Sequence, residues 1–193
     1  MRVLLVGLTG GIGCGKTEAA RVLQKLGAKV IDADAIGKQV VEENSAILRA
    51  IKKNFGSSCI DAEGKLKRKE LGRLVFADEK QKKKLNDLVH PHLLKGIRKA
   101  VEKAKKENWG IIIVDAALIY ETGLEKMFDH VIVVYSELKH RVERVKKRDR
   151  LSDQEILNRI QSQMPLDEKV RRADIVLSND DTVEALRLET EKL

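Results

Sequence analysis

Five short apolar runs punctuate the chain: RVLLVGL at 2–8, KVID at 29–32, IIIVD at 111–115, HVIVVY at 130–135 and DIVLS at 174–178. They do not alternate apolar with polar residues, so neither face of these segments is patterned for water. Continuous β-branched runs of this length predict strands buried on both faces of a parallel sheet. Between them apolar positions recur three and four residues apart, the spacing of amphipathic helices. Strands and helices in alternation predict an α/β fold with right-handed crossovers.

The spacing of the runs is uneven. Residues 33–110, between the second and third, form a stretch far longer than one crossover helix needs. Helix signals fill it. Ser45 stands where a cap is expected before Ile47, Leu48 and Ile51, and Asp78 where a second cap is expected. The segment HPHLLKGIRKAVEKAKKE puts Leu93, Leu94, Ile97, Val101 and Ala104 on one helical face. The pattern predicts a helical insertion over 35–108 within a core made of 1–34 and 109–193. A second punctuated stretch, DRLSDQEILNRIQSQMP at 149–165, has Ser152 and Glu155 at capping-box spacing before a short helix that ends near Pro165. It predicts a charged helical hairpin serving as a lid within the core.

The first apolar run leads into LTGGIGCGKT at 8–17, with four glycines at Gly10, Gly11, Gly13 and Gly15. Glycine costs conformational entropy in regular structure, so a cluster of it needs a reason. The reason is the pattern Gly10-x-x-x-x-Gly15-Lys16-Thr17, preceded by a strand ending at Leu8 and followed by a helical pattern. In that context it is a P-loop. The backbone N–H groups of Gly11, Ile12, Gly13, Cys14, Gly15, Lys16 and Thr17 are expected to form a nest for the phosphates of ATP. Lys16 reaches the β- and γ-phosphates, and the Thr17 hydroxyl is a ligand for Mg²⁺. Cys14 contributes a backbone N–H here rather than redox chemistry.

Ligands of doubly wound sheets bind at the carboxyl ends of the strands, which draws attention to Asp32, Asp34 and Asp115. Phosphoryl transfer to a hydroxyl calls for a base in line with it. Asp34 is the candidate and Asp32 the structural member of the pair, the alternative being two turn-forming aspartates. Asp115 closes the third run, a place for a carboxylate that holds Mg²⁺ through water, the alternative being a strand-end cap. In the helical pattern after the fourth run, Leu138, Val142 and Val145 share one face and Arg141, Arg144 and Arg148 the next. The apolar face is expected on the sheet and the arginines toward the nucleotide, with Arg148 best placed to reach the phosphates.

Composition narrows the partners. Hydrophobic residues make up 42% of the chain and aromatics 3%, so the core must be aliphatic. The net charge of +8 admits nucleic acid, a membrane surface or a phosphorylated small molecule. The lysine runs at 65–69 and 80–84 lie in helical, Glu-containing surroundings and read as solvated faces. One Trp, two Tyr and three Phe supply little for stacking bases, so no nucleic-acid partner is expected. No apolar run approaches the roughly 20 residues of a membrane span, so no membrane partner is expected either. Two cysteines without a CxxC pair point to a reducing compartment, and the expected location is cytoplasmic. The expected state is a monomer or small homo-oligomer.

The ordered set GLTGGIGCGKT, VIDADAIGKQVV, LVHPHL, IYETGLEKMFDHVIVV, RVKKRDRLS and QMPLDEKVRRADIVLSND resembles the dephospho-coenzyme A kinase family over nearly the whole chain. The resemblance implies transfer of the ATP γ-phosphate to the ribose 3′-hydroxyl of dephospho-coenzyme A, the last step of coenzyme A synthesis. The fold it implies is a P-loop three-layer α/β/α core with a five-stranded parallel sheet, an inserted helical coenzyme-A-binding domain and a lid. By the same resemblance Asp34 is the base on the 3′-hydroxyl, His90 and Lys38 belong to the acceptor pocket, Glu121 positions the acceptor and Arg148 meets ATP. On spacing alone His90 reads only as a helix-start histidine. The chain departs from the family pattern at Ala117, where a proline is usual, and at Gly37–Lys38, where a basic residue commonly follows DAD. A nucleoside-monophosphate kinase on the same core is the rival reading, against which the length of the insertion and the HP and ETGLE motifs speak.

Overall fold

The structure is a computed structural model and describes residues 3–149 and 151–193, leaving aside the side chains of Phe76 and Ala77. Arg2 of the first apolar run and Arg150 of the 149–165 hairpin lie outside the described residues. The apolar runs form β1 (Leu4–Gly10), β2 (Lys29–Asp32), β3 (Ile111–Asp115), β4 (His130–Tyr135) and β5 (Ile175–Ser178). They make one parallel sheet in the order β2-β3-β1-β4-β5. The chain thus builds on one side of β1 for β2 and β3 and on the other for β4 and β5. The carboxyl end of β1 is therefore the switch point, where α/β sheets bind ligands.

The middle strands are the driest part of the molecule: Leu8, Ile112, Ile113, Val114, Val133 and Val134 are all buried. Helix α1 (Lys16–Lys25) lays Ala19, Ala20, Val22 and Leu23 inward, and α9 (Val183–Glu191) buries Leu186 and Thr190. Strand β1 runs two residues beyond the expected end at Leu8. Its pairing with β3 stops at Leu8 opposite Asp115, but Thr9 and Gly10 stay paired with Val133 and Val134 of β4. The one-sided extension carries the chain directly into the phosphate loop.

The described residues divide into two compact units, one ending at Asp32 and resuming over Ala100–Leu193, the other spanning Ala33–Lys99. The second unit holds α2 (Ala33–Glu43), α3 (Ser45–Phe55), α4 (Arg68–Ala77) and most of α5 (Glu79–Lys106). Its core is a cluster of Val41, Ile47, Ile51, Phe55, Cys59, Leu71 and Val75, with Leu85, Leu88 and Val89 of α5 packed against it. The cap of α3 is Asn44, not Ser45. Asn44 is extended and its Oδ1 accepts from the N–H groups of Ala46 and Ile47 at 3.0 and 3.3 Å, leaving Ser45 as the first helical residue. The Asp78 carboxylate accepts from Lys80 N–H at 2.7 Å where α5 begins.

Helix α5 also starts earlier than the sequence suggested and passes through Pro91, so His90 sits in mid-helix rather than at a helix start. Proline lacks an N–H and crowds the preceding turn. The stripe of Leu85, Leu88 and Val89 before it and buried Ile97 after it keeps the helix continuous, because both sides of the proline have apolar surface to hide. The lysine runs are solvated: Lys82 pairs with Glu79 at 3.1 Å and Arg68 with Glu42 at 2.8 Å on exposed faces. Among the described residues no helix is long and apolar enough to cross a membrane.

In the first unit β4 leads to α6 (Leu138–Asp149), α7 (Asp153–Gln161) and α8 (Leu166–Arg172). The capping box at the start of α7 forms in both directions between Ser152 and Glu155.

Candidate nucleotide and acceptor site

The phosphate loop runs from the end of β1 to Lys16, the first residue of α1. Gly13 and Gly15 take φ values of +82° and +93°, which residues with a Cβ resist. Gly15 is also the N-cap of α1, and its carbonyl accepts the first helical N–H from Glu18 at 2.9 Å. The N–H groups of the loop thus sit at the positive end of the helix dipole. Space imposes glycine too. A Cβ on Gly11 would come within 2.7 Å of the Arg141 guanidinium, and one on Gly13 within 2.6 Å of the Arg141 carbonyl oxygen.

Lys16 reaches across to β3, where its ammonium is ion-paired with the carboxylate of Asp115. Asp115 is the Cα partner of Leu8 on β1 and of Asp32 on β2. The P-loop lysine and two strand-end carboxylates therefore gather at the carboxyl edge of the sheet. Thr17 is exposed in the first turn of α1. Cys14 is fully buried, and burial pushes its thiol up despite the opposing pull of Arg141 and Arg144, so it is a poor nucleophile.

A second constellation surrounds Glu121. Its Oε1 accepts from Met164 N–H at 2.8 Å and pairs with Lys169 Nζ at 2.8 Å. Lys169 is wholly buried and also donates to the Ala117 carbonyl at 2.7 Å, which the Thr9 hydroxyl shares at 3.2 Å. These contacts at Ala117 use the carbonyl oxygen, which a proline would keep. The departure from the family pattern at this position leaves the network intact.

The other expected site residues lie apart from these groups in character. Asp34 is exposed in the first turn of α2, two residues after Asp32. Lys38 is exposed on the same helix, and its carbonyl accepts from Arg68 at 3.2 Å. His90 is half-buried in α5. Arg148, at the end of α6, is exposed and makes a two-pronged pair with Asp149 at 2.7 and 2.9 Å. That hydrogen-bonded pairing raises the arginine and lowers the carboxyl from their ordinary values.

The model of the dephospho-CoA kinase family matches residues 4–185. The chain belongs to that family. It is 41% identical over 176 residues to the dephospho-CoA kinase of Bacillus licheniformis, covering 91% of this chain and 88% of the relative. The dephospho-CoA kinase of Campylobacter jejuni superposes with a TM-score of 0.71 at 31% identity, over 97% of this chain and 94% of that one. A crystal structure of a Thermus thermophilus protein superposes at 0.83 with 32% identity, over 100% and 96% of the two chains. The P-loop core with its five-stranded parallel sheet is thus the fold of this dephospho-CoA kinase family member.

Sequence reading turned Arg141 and Arg144 toward the nucleotide but missed that they hold the loop's carbonyls, and it missed Asn179 and Gln163 altogether. Arg141 Nε donates to the Ile12 carbonyl at 3.1 Å and Asn179 Nδ2 to the Cys14 carbonyl at 2.7 Å. Arg144 donates to the carbonyl of Asn179 at 2.8 Å and to the Ser136 hydroxyl at 3.1 Å, with a long contact of 3.5 Å to the Gly13 carbonyl. Gln163 accepts from Ile12 N–H at 3.0 Å. Helix α6 thus turns Arg141 and Arg144 toward the loop as expected, but its buried face is not the apolar one expected. Leu138 is 51% exposed, whereas Arg141 is buried beside Val145. The arginine's stem fills apolar space while its head reaches loop carbonyls, which a hydrophobic-face reading does not anticipate. Asn179 had a usable signal: it directly follows β5, at the carboxyl edge of the sheet where such folds bind ligands.

Proposed function

We propose that the protein is a kinase that transfers the γ-phosphate of ATP to the ribose 3′-hydroxyl of dephospho-coenzyme A, yielding coenzyme A and ADP. The observation that carries this reading is the meeting of P-loop Lys16 with the strand-end carboxylate Asp115 in a member of the dephospho-CoA kinase family. Loop N–H groups within residues 11–17 hold the polyphosphate, apart from those of Ile12 and Cys14, which bond to Gln163 and to the Gly11 carbonyl, and Lys16 offsets charge on the group in transit. Asp34 accepts the proton of the 3′-hydroxyl as that oxygen bonds to the γ-phosphorus and the bond from the γ-phosphorus to the β–γ bridging oxygen breaks. Lys38 and His90 line the acceptor side, Glu121 orients the acceptor, and Arg148 meets the phosphates.

Mg²⁺ is the metal this chemistry calls for, and it neutralises phosphate charge when bound. The donor set fits it: the Thr17 hydroxyl and the Asp115 carboxylate are hard oxygens. Magnesium commonly takes only one or two protein ligands, the rest being phosphate and water. A cluster of three or more acidic, His or Cys side chains is neither required nor present among the described residues.

In this reading the helical unit receives the acceptor and residues 149–165 close over the nucleotide. ATP and dephospho-coenzyme A are its only partners, with neither nucleic acid nor a membrane surface, for a cytoplasmic monomer or small homo-oligomer. An acceptor panel tests it. Purified protein with ATP and Mg²⁺ should release ADP with dephospho-coenzyme A and far more slowly with nucleoside monophosphates. A preference for a nucleoside monophosphate would transfer the reading to its rival.

A further inference from the structure

We infer that Gln163 is a further phosphate-contacting residue, one whose amide oxygen braces the P-loop and whose amide nitrogen donates to the phosphates of the bound nucleotide. This rests on the reading of the site as a phosphotransferase centre. The orientation of the amide follows from its neighbour. Ile12 N–H can only donate, so the atom 3.0 Å from it must be the carbonyl oxygen Oε1. Nε2 is then fixed as well. Amide bond lengths put it about 2.3 Å from Oε1, so it is no more than about 5.3 Å from Ile12 N. Its two N–H donors have no hydrogen-bond partner among the described residues, although the side chain is half-buried. Nε2 is not among the fully buried polar atoms, so it stays open to a ligand that enters the loop. The acceptor-rich object that occupies the neighbourhood of loop N–H groups is a polyphosphate.

Three features keep the amide in place. Arg141 holds the carbonyl of the same residue whose N–H Gln163 accepts from, so Ile12 is gripped at both its polar atoms. Gln163 N–H donates to the Ile160 carbonyl at the end of α7. The next residue, Met164, donates to Glu121, which buried Lys169 anchors. A donor prepositioned in this way acts without reorganisation as charge shifts during transfer. Because Met164 holds the carboxylate assigned to the acceptor, residues 163–164 touch both halves of the reaction.

Two substitutions separate the two ends of the amide. Gln163→Met removes both oxygen and donors at similar size. Gln163→Glu keeps an oxygen for Ile12 N–H but removes the donors. Both variants should lower kcat roughly 10- to 100-fold, the range for loss of one preorganised donor. Gln163→Glu should show the larger defect, because its carboxylate is ionised at neutral pH and adds repulsion of the phosphates to the loss of the donors, whereas Gln163→Met only loses the amide. Wild-type kcat in either variant overturns the inference, and so does a Gln163→Glu defect no larger than that of Gln163→Met. Failure of the wild-type protein to phosphorylate dephospho-coenzyme A would instead overturn the reading of the site. Titration of the same variants with an ATP analogue, which needs no acceptor, keeps the two failures distinct: affinity unchanged in both variants counts against the phosphate contact.

Discussion

In the sheet unit, the groups around the phosphate loop are knotted together by buried or half-buried polar contacts. Arg141, Lys169 and Asn179 are each almost or wholly buried, and each donates to a backbone carbonyl. In the helical unit the interior is an aliphatic cluster around Ile47 and Ile51, while Asp34 and Lys38 lie exposed on α2. Removing one partner from a buried polar network leaves another unsatisfied, so such networks hold a single geometry. An aliphatic cluster stabilises a fold without fixing the polar groups on its surface. The groups around the phosphate loop are therefore held in one geometry in advance, whereas Asp34 and Lys38 have side chains that solvent leaves room to move.

The sharpest way to break this contrast is Lys16→Ala. Its loss should reduce kcat at least 10²-fold, about 3 kcal/mol in transition-state stabilisation, with the far-ultraviolet spectrum unchanged. A variant keeping a tenth of wild-type kcat would mean that the loop does not cradle the transferring group. Asp34→Asn comes next, with an expected fall in kcat of roughly 10²–10⁴ at nearly constant ATP affinity. Weakened ATP binding at normal kcat would make Asp34 part of the metal's surroundings.

Ile51→Ala addresses stability instead. Truncating this fully buried residue should cost the helical unit about 2–5 kcal/mol. Hydrogen exchange should quicken across 33–99 and stay slow in β1 and β4. Equal acceleration in both places would show that the two units do not hold themselves separately.

The smallest effect is expected at Asp180. Burial opposes ionisation there, but bonds from Glu137 N–H, the Ser136 hydroxyl and His140 prevail and hold the carboxyl below its ordinary value. A depressed carboxyl stabilises the fold above its unfolded value, near pH 4, and that contribution fades as pH falls through the folded value. Asp180→Asn should cost about 1 kcal/mol at pH 7 and progressively less toward pH 3, read from Tm at each pH. A difference that stays constant across that range would mean the charge is not what matters.

The strands were legible because buried parallel strands announce themselves as unbroken β-branched runs. β2, β3 and β4 fall on KVID, IIIVD and HVIVVY. The loop was legible because its chemistry fixes residue types at fixed spacing. Boundaries set by a local competition were harder. Asn44 took the cap from Ser45 by one residue, and the stripe on α5 carried the helix through Pro91. Least legible were Gln163, Asn179 and the loop contacts of Arg141 and Arg144. Their contacts with the loop are to backbone atoms, and a backbone partner leaves no trace in the side-chain pattern.

The central claim is tested most directly by following the label from γ-³²P-ATP with the purified protein, Mg²⁺ and dephospho-coenzyme A. The account predicts label on coenzyme A, released by a 3′-nucleotidase and matched mole for mole by ADP. Label appearing only as inorganic phosphate, or on coenzyme A at a position that the 3′-nucleotidase cannot release, would contradict it.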